Sequence, residues 1–162
     1  MPPSTTKIDE LRTEIAALAD ETTSGQELMR AMAKLLHNRM LKYNWVGFYM
    51  LEPGAQPPML ALGAFEGAMT PHTRIPLDQG ICGAAASSGE TVVVDDVNKD
   101  PRYLACSLET KSEIVVPVFV HGKVVGELDI DSHFPAAFTA EHQEFVQQCA
   151  NLVGKKLEAA SA

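Results

Sequence analysis

The stretch Glu113-Ile114-Val115-Val116-Pro117-Val118-Phe119-Val120-His121-Gly122-Lys123-Val124-Val125-Gly126-Glu127-Leu128-Asp129-Ile130-Asp131 decides the architecture. It reads as two strands, Glu113 to Val120 and Lys123 to Asp131, closed by a hairpin. A two-residue turn at His121-Gly122 would set Ile114 opposite Asp129 and Val116 opposite Glu127, mixing carboxylates and aliphatics on both faces. A three-residue loop, Val120-His121-Gly122, places Gly122 at a left-handed bulge position that favours glycine. It pairs Ile114 with Leu128, Val116 with Gly126 and Val118 with Val124. One face is then wholly apolar, while Glu113, Glu127, Asp129 and Asp131 share the other, because side chains alternate along a strand. Hydrophobic pattern sets register, so the three-residue loop is the expectation.

The acidic face has two readings. Antiparallel sheets commonly leave one face to solvent, and pattern alone favours that. Like charges held opposite one another are destabilising, however, unless something compensates. The other reading makes this face the floor of a pocket for a cationic or hydrogen-bonding ligand.

Outward from the hairpin, helices gather at both chain ends. Ile8, Leu11, Ile15 and Leu18 recur at helical spacing, as do Leu28, Met32, Leu35, Leu36 and Met40. The cluster Thr22-Thr23-Ser24-Gly25 between them supplies a stop and a new N-cap. A last helix begins after Thr139, with Phe145, Cys149, Leu152, Val153 and Leu157 on one face. Between these ends, Trp45 to Leu51, Met59 to Phe65 and Thr91 to Val94 read as strands, and Glu66 to about Ile81 reads as irregular. The expectation is one α+β domain: a central antiparallel sheet with the N- and C-terminal helices on one face and the carboxylates on the other.

Composition narrows the partners. The 162 residues suffice for one domain with a real core. A formal net charge of −8 argues against nucleic acid and anionic membrane, both of which need basic surface. No apolar run approaches the roughly 20 residues that span a bilayer, and the first residues carry no secretion signal. Three cysteines are too few, and odd in number, for a disulfide framework. A cytoplasmic location is expected, where cysteines are either buried hydrophobes or reactive thiols.

Five blocks then stand in order: Asn44-Trp45-Val46-Gly47-Phe48-Tyr49, Gly80-Ile81-Cys82-Gly83, Leu104-Ala105-Cys106, Ser112-Glu113-Ile114-Val115-Val116-Pro117 and Leu128-Asp129-Ile130-Asp131-Ser132. Together they resemble the free methionine-(R)-sulfoxide reductases, a family of GAF domains, from about Gly25 to the last helix. The resemblance implies a GAF domain over residues 25–160, preceded by an N-terminal helix over residues 1–24, with a ligand pocket on the face opposite the terminal helices. It also implies an L-methionine (R)-S-oxide reductase acting on the free amino acid, a homodimer touching through its first helices, and no bound cofactor. In that chemistry a thiolate attacks the sulfoxide sulfur and becomes a sulfenic acid, a second thiol condenses with it, and a thioredoxin-type reductant opens the disulfide.

By resemblance, Cys106 is the attacking thiol and Cys82 its resolving partner, although the sequence does not rank their pKa values. Glu113, Asp129 and Asp131 match the acidic pocket, where ionised members would hold the substrate ammonium and a protonated one would polarise the sulfoxide. Trp45 and Tyr49 match an aromatic wall for the methyl-sulfur end. The chain departs from the family at His72, where a further cysteine is usual, and at Arg102-Tyr103, where Gly-His is frequent. A domain of this fold could instead serve as a non-catalytic small-molecule sensor or a redox switch. Retention of both Cys82 and Cys106 beside acids favours the enzyme.

Cys149 lies on the apolar stripe of the last helix and reads as an inert core residue. No metal is expected, because the five histidines lack ligand spacing. A Cys82–Cys106–His72 metal set is conceivable only because His72 stands where a thiol is usual.

Overall fold

The computed structural model describes residues 3–103 and 109–160. Helix α1 (Pro3–Glu21) leads into α2 (Gly25–Arg39), and then come β1 (Trp45–Leu51), β2 (Met59–Glu66) and β3 (Arg74–Pro76). Helix α3 (Gly80–Ser88), β4 (Val92–Val94), a short 3-10 turn (Val97–Lys99), β5 (Ser112–Val120), β6 (Lys123–Ser132) and α4 (Ala140–Ala160) complete the order. The six strands form one antiparallel sheet ordered β3-β2-β1-β6-β5-β4. No helix among the described residues is long and apolar enough to cross a membrane.

The expected helix boundary at Thr22 to Gly25 is present in detail. Ser24 caps α2 by accepting from the Glu27 backbone N–H at 3.1 Å, and the Glu27 carboxylate reaches back to the Thr23 backbone N–H at 2.8 Å. Leu28, Met32 and Leu36 of α2, Ile8, Leu11 and Ile15 of α1, and Phe145, Cys149 and Val153 of α4 then share one buried cluster with Val46, Phe48, Ile114, Val116, Leu128 and Ile130. This is the main core, between the sheet and the terminal helices.

The hairpin turns differently from the expectation. His121 and Gly122 alone make the turn, with φ of 50° and 77°, and Val120 pairs with Lys123. Two consecutive left-handed residues suit the twist of a tight hairpin better than a three-residue loop does. Further along, Val118 pairs with Gly126 and Phe119 with Val124, so Val125 is inserted without a partner. That bulge restores the face assignment which the tight turn alone would have scrambled. Ile114 pairs with Ile130 rather than Leu128, and Val116 with Leu128 rather than Gly126. From Val118 and Gly126 onward the displacement is an even number of residues, so those side chains keep their expected face, whereas Val124, expected opposite Val118, pairs with Phe119 and moves to the other face.

Two elements lie where the pattern reads as irregular. Arg74-Ile75-Pro76 adds β3 at the edge beside β2, and Gly80 begins α3. Helix α3 also corrects the solvent reading of the acidic face. Its Ile81, Cys82, Ala85 and Ala86 pack with Trp45, Tyr49, Leu60, Ile75 and Val115 into a second, smaller core on that side of the sheet. The carboxylates lie beneath it.

Candidate functional site

Antiparallel pairing writes the site as three rows across β1, β6 and β5. Trp45 stands opposite Asp131, and Asp131 opposite Glu113; Gly47 opposite Asp129, and Asp129 opposite Val115; Tyr49 opposite Glu127, and Glu127 opposite Pro117. All point to the α3 side, because the alternate residues of the same strands fill the main core. Glu113, Glu127, Asp129 and Asp131 are each 5% exposed or less. Four carboxyl groups are thus sequestered on one small patch with no Lys or Arg among the residues paired to them.

Burial and mutual proximity keep these groups from ionising at their ordinary pH. Burial, reinforced by Asp129, raises Glu113 well above the usual carboxylate range. Asp129 and Asp131 rise through burial and through the negative neighbour each faces, Asp131 and Glu113 respectively. Burial pushes Glu127 up to about 8, against a small opposing contribution from the Cys82 thiol. Among the described residues, neither Glu127 carboxylate oxygen has a hydrogen-bond partner, nor do Oδ1 of Asp129 and Oδ1 of Asp131.

Cys82 lies in the first turn of α3, which holds it over the middle row. Its Sγ donates to Asp129 Oδ2 at 3.3 Å. Burial, with Asp129, Glu127 and Glu113 nearby, raises its pKa well above the ordinary thiol value, so Cys82 is a protonated thiol near neutral pH. The helix can sit this close because of Gly83. A Cβ there would come within 2.8 Å of the Leu77 carbonyl oxygen and 3.0 Å of that of Pro76.

The two aromatic candidates are fixed by unlike contacts. Tyr49 donates its hydroxyl to the His72 carbonyl oxygen at 2.7 Å. The Trp45 indole N–H donates to the Ala68 carbonyl oxygen at 3.0 Å, and its ring stacks on Phe65 at 5.7 Å between centroids. Gly47 makes room for it, since a Cβ at that position would meet Trp45 Cη2 at 2.3 Å.

Two hollows open on the patch. One of about 20 Å³, room for roughly one water molecule, is bounded by Tyr49, His72, Ile81, Cys82, Glu113 and Asp129. The other, of about 180 Å³, is bounded by Trp45, Met69, Thr70, Glu109, Asp131 and His133.

The structure therefore brings Cys82, Glu113, Asp129, Asp131, Trp45 and Tyr49 to one face. Cys106 lies outside the described residues. Its flanks do not: Tyr103 packs against the second core, and Glu109 lines the larger hollow. Glu127 is the member that reading for site residues passed over, although its alternation with Asp129 and Asp131 was the available signal. Cys149 is fully buried in the main core, where burial raises its pKa, and it is remote from this face.

An antiparallel six-stranded sheet with helices on both sides and a pocket under α3 defines a class. The GAF domain family matches residues 24–157, and the chain belongs to it. Within that class, the free methionine-R-sulfoxide reductase of Escherichia coli is 36% identical over 133 residues, covering 82% of this chain and 77% of that protein. The protein of the same name from Saccharomyces cerevisiae is 42% identical over 113 residues, covering 69% of this chain and 62% of that protein. The X-ray structure of the Neisseria meningitidis free methionine-R-sulfoxide reductase in complex with its substrate superposes with a TM-score of 0.91 at 32% identity, covering 99% of this chain and 94% of that one. The chain is a member of the free methionine-R-sulfoxide reductase family.

Proposed function

We propose that this protein reduces free L-methionine (R)-sulfoxide to methionine. The observation that carries the reading is the buried set Glu113, Asp129 and Asp131 with the Cys82 thiol on Asp129, in a chain of this family. A zwitterionic amino acid needs an anionic partner for its ammonium, and an S–O bond needs a proton donor as it breaks. Carboxyl groups with raised pKa values supply both: one ionises when the ammonium arrives, and another keeps its proton to give away.

In the first step the Cys106 thiolate attacks sulfur, and oxygen passes to Cys106 as a sulfenic acid while methionine leaves. A carboxyl proton, from Glu113 or Asp131, neutralises the oxygen during transfer. In the second step the Cys82 thiol condenses with the sulfenic acid, forming a disulfide and releasing water. A thioredoxin-type dithiol then reduces the disulfide by exchange. The raised pKa of Cys82 supports the resolving role for it and leaves the attack to Cys106, since the thiolate is the nucleophile. Trp45 and Tyr49 wall the methyl-sulfur end. The thiols carry the electrons, so no cofactor is needed.

The division into an N-terminal helix over residues 1–24 and a GAF domain over 25–160 stays part of this proposal, with Ile8, Leu11 and Ile15 of the first helix packed into the main core. The groove between α1 and α2, lined by Ala17, Leu18, Ala31 and Leu35, is the face through which we place a homodimer. A cytoplasmic location is part of the same proposal.

Single-turnover chemistry tests the thiol assignment. Reduced Cys82→Ser, given methionine sulfoxide without thioredoxin, is expected to release about one equivalent of methionine and to accumulate a dimedone-reactive sulfenic acid on Cys106. Cys106→Ser releases none. Full release by Cys106→Ser would reverse the two roles, and no release by any form would favour a sensor or redox switch.

A further inference from the structure

We propose that the small hollow under α3 is a binding site for a zinc-type divalent cation, held by Cys82 Sγ and carboxylate oxygens of Asp129 and Glu113. The three donor atoms lie within 4.8 Å of one another, and all three residues are buried. Zinc binds sulfur at about 2.3 Å and carboxylate oxygen at about 2.0 Å, so neighbouring donors of a tetrahedral ion lie roughly 3.5 Å apart. The Cys82 Sγ to Asp129 Oδ2 distance is already 3.3 Å. Glu113 has to close only a short gap.

A buried acidic cluster alone would not identify a metal site. Here two further observations point the same way. The hollow that these three residues bound has the room of about one water molecule, which is the room a single ion needs. In addition, Oδ1 of Asp129, a residue only 3% exposed, has no hydrogen-bond partner among the described residues. Such an atom is costly to bury, and a cation bound by the Asp129 carboxylate satisfies it. The donor set of one sulfur and two oxygens suits a borderline-soft ion better than calcium or magnesium, which take oxygen alone.

Coordination breaks the Cys82 S–H bond and forms a metal–sulfur bond. The thiol proton, together with any proton still held by the Asp129 and Glu113 carboxyls, leaves to buffer, and no electrons move. The site stands on this geometry alone; its consequence rests on the reductase reading. The ion occupies the carboxylates proposed for the substrate ammonium and ties up the resolving thiol, so it is a reversible inhibitor that competes with the sulfoxide.

The full-length chain, reduced with a phosphine and stripped of metal, is titrated with zinc chloride by calorimetry and with cobalt chloride by absorption, without sulfoxide. The expected results are one ion per chain at a Kd of ~1 µM or tighter, and a sulfur-to-cobalt charge-transfer band. Cys82→Ser and Asp129→Asn should each weaken zinc about tenfold or more, whereas Cys106→Ser and Cys149→Ser leave it unchanged. Binding weaker than ~100 µM, a cobalt spectrum without the sulfur band, or a band that disappears in Cys106→Ser overturns the proposal. The cobalt spectrum of the unsubstituted protein decides the matter even where Cys82→Ser fails to fold. Turnover is assayed separately with chelator present, so failure of the metal site and failure of the reductase reading are told apart.

Discussion

Glu127 shows how a single side chain in this sheet links chemistry to stability. It is fully buried, its carboxylate oxygens are unpartnered among the described residues, and its pKa is pushed up to about 8 from the ordinary 4.5. The folded protein therefore holds this proton where the unfolded chain has lost it. The resulting stabilisation is fully present below about pH 4.5 and disappears as pH rises through about 8. Denaturant midpoints measured across that interval should fall with pH in the native protein, and Glu127→Gln should give a shallower slope. An unchanged slope would mean that Glu127 titrates normally. Sequence alternation placed this residue on the acidic face; it could not show that the face is buried, because the covering residues come from elsewhere in the chain.

At the scale of elements, α3 makes the site and was hardest to read. Gly80-Ile81-Cys82-Gly83-Ala84-Ala85-Ala86-Ser87-Ser88 has no amphipathic stripe, and two glycines weaken any helical reading. Its identity comes from packing: small residues let it lie flat against the carboxylates and β3. Gly83→Ala should therefore destabilise the protein by about 1–3 kcal/mol, because its methyl would press on backbone carbonyls that cannot swing aside. It should also lower turnover by moving Cys82. Urea denaturation and a rate measurement on the same sample check both, and an unchanged midpoint would contradict the close approach.

The β5–β6 hairpin is the opposite case. Its faces were legible because hydrophobic parity is insensitive to a shift of two residues. Its turn was not, because a tight turn plus the Val125 bulge leaves the same parity as a longer loop.

Across the whole molecule, the sheet separates two interiors with different tasks. The terminal helices and the apolar face form a core that supplies most of the buried hydrophobic surface. That frees the other face to bury carboxyl groups, which no small core would tolerate unsupported. The terminal helices and most strands were legible from period alone; β3 and α3 were not, for want of length and of amphipathic pattern. The thiol chemistry was legible only through resemblance, because composition does not distinguish an inert cysteine from a reactive one. Cys149 and Cys82 are both buried, and it is the Asp129 carboxylate at 3.3 Å that sets Cys82 apart.

Epimer-resolved consumption of racemic free methionine sulfoxide, with thioredoxin, its reductase and NADPH, tests the central claim most directly. Chromatography should show the R epimer converted to methionine and the S epimer left intact, with conversion lost in Cys106→Ser and reduced at least tenfold in Asp131→Asn. Consumption of neither epimer, or of both equally, would contradict the account.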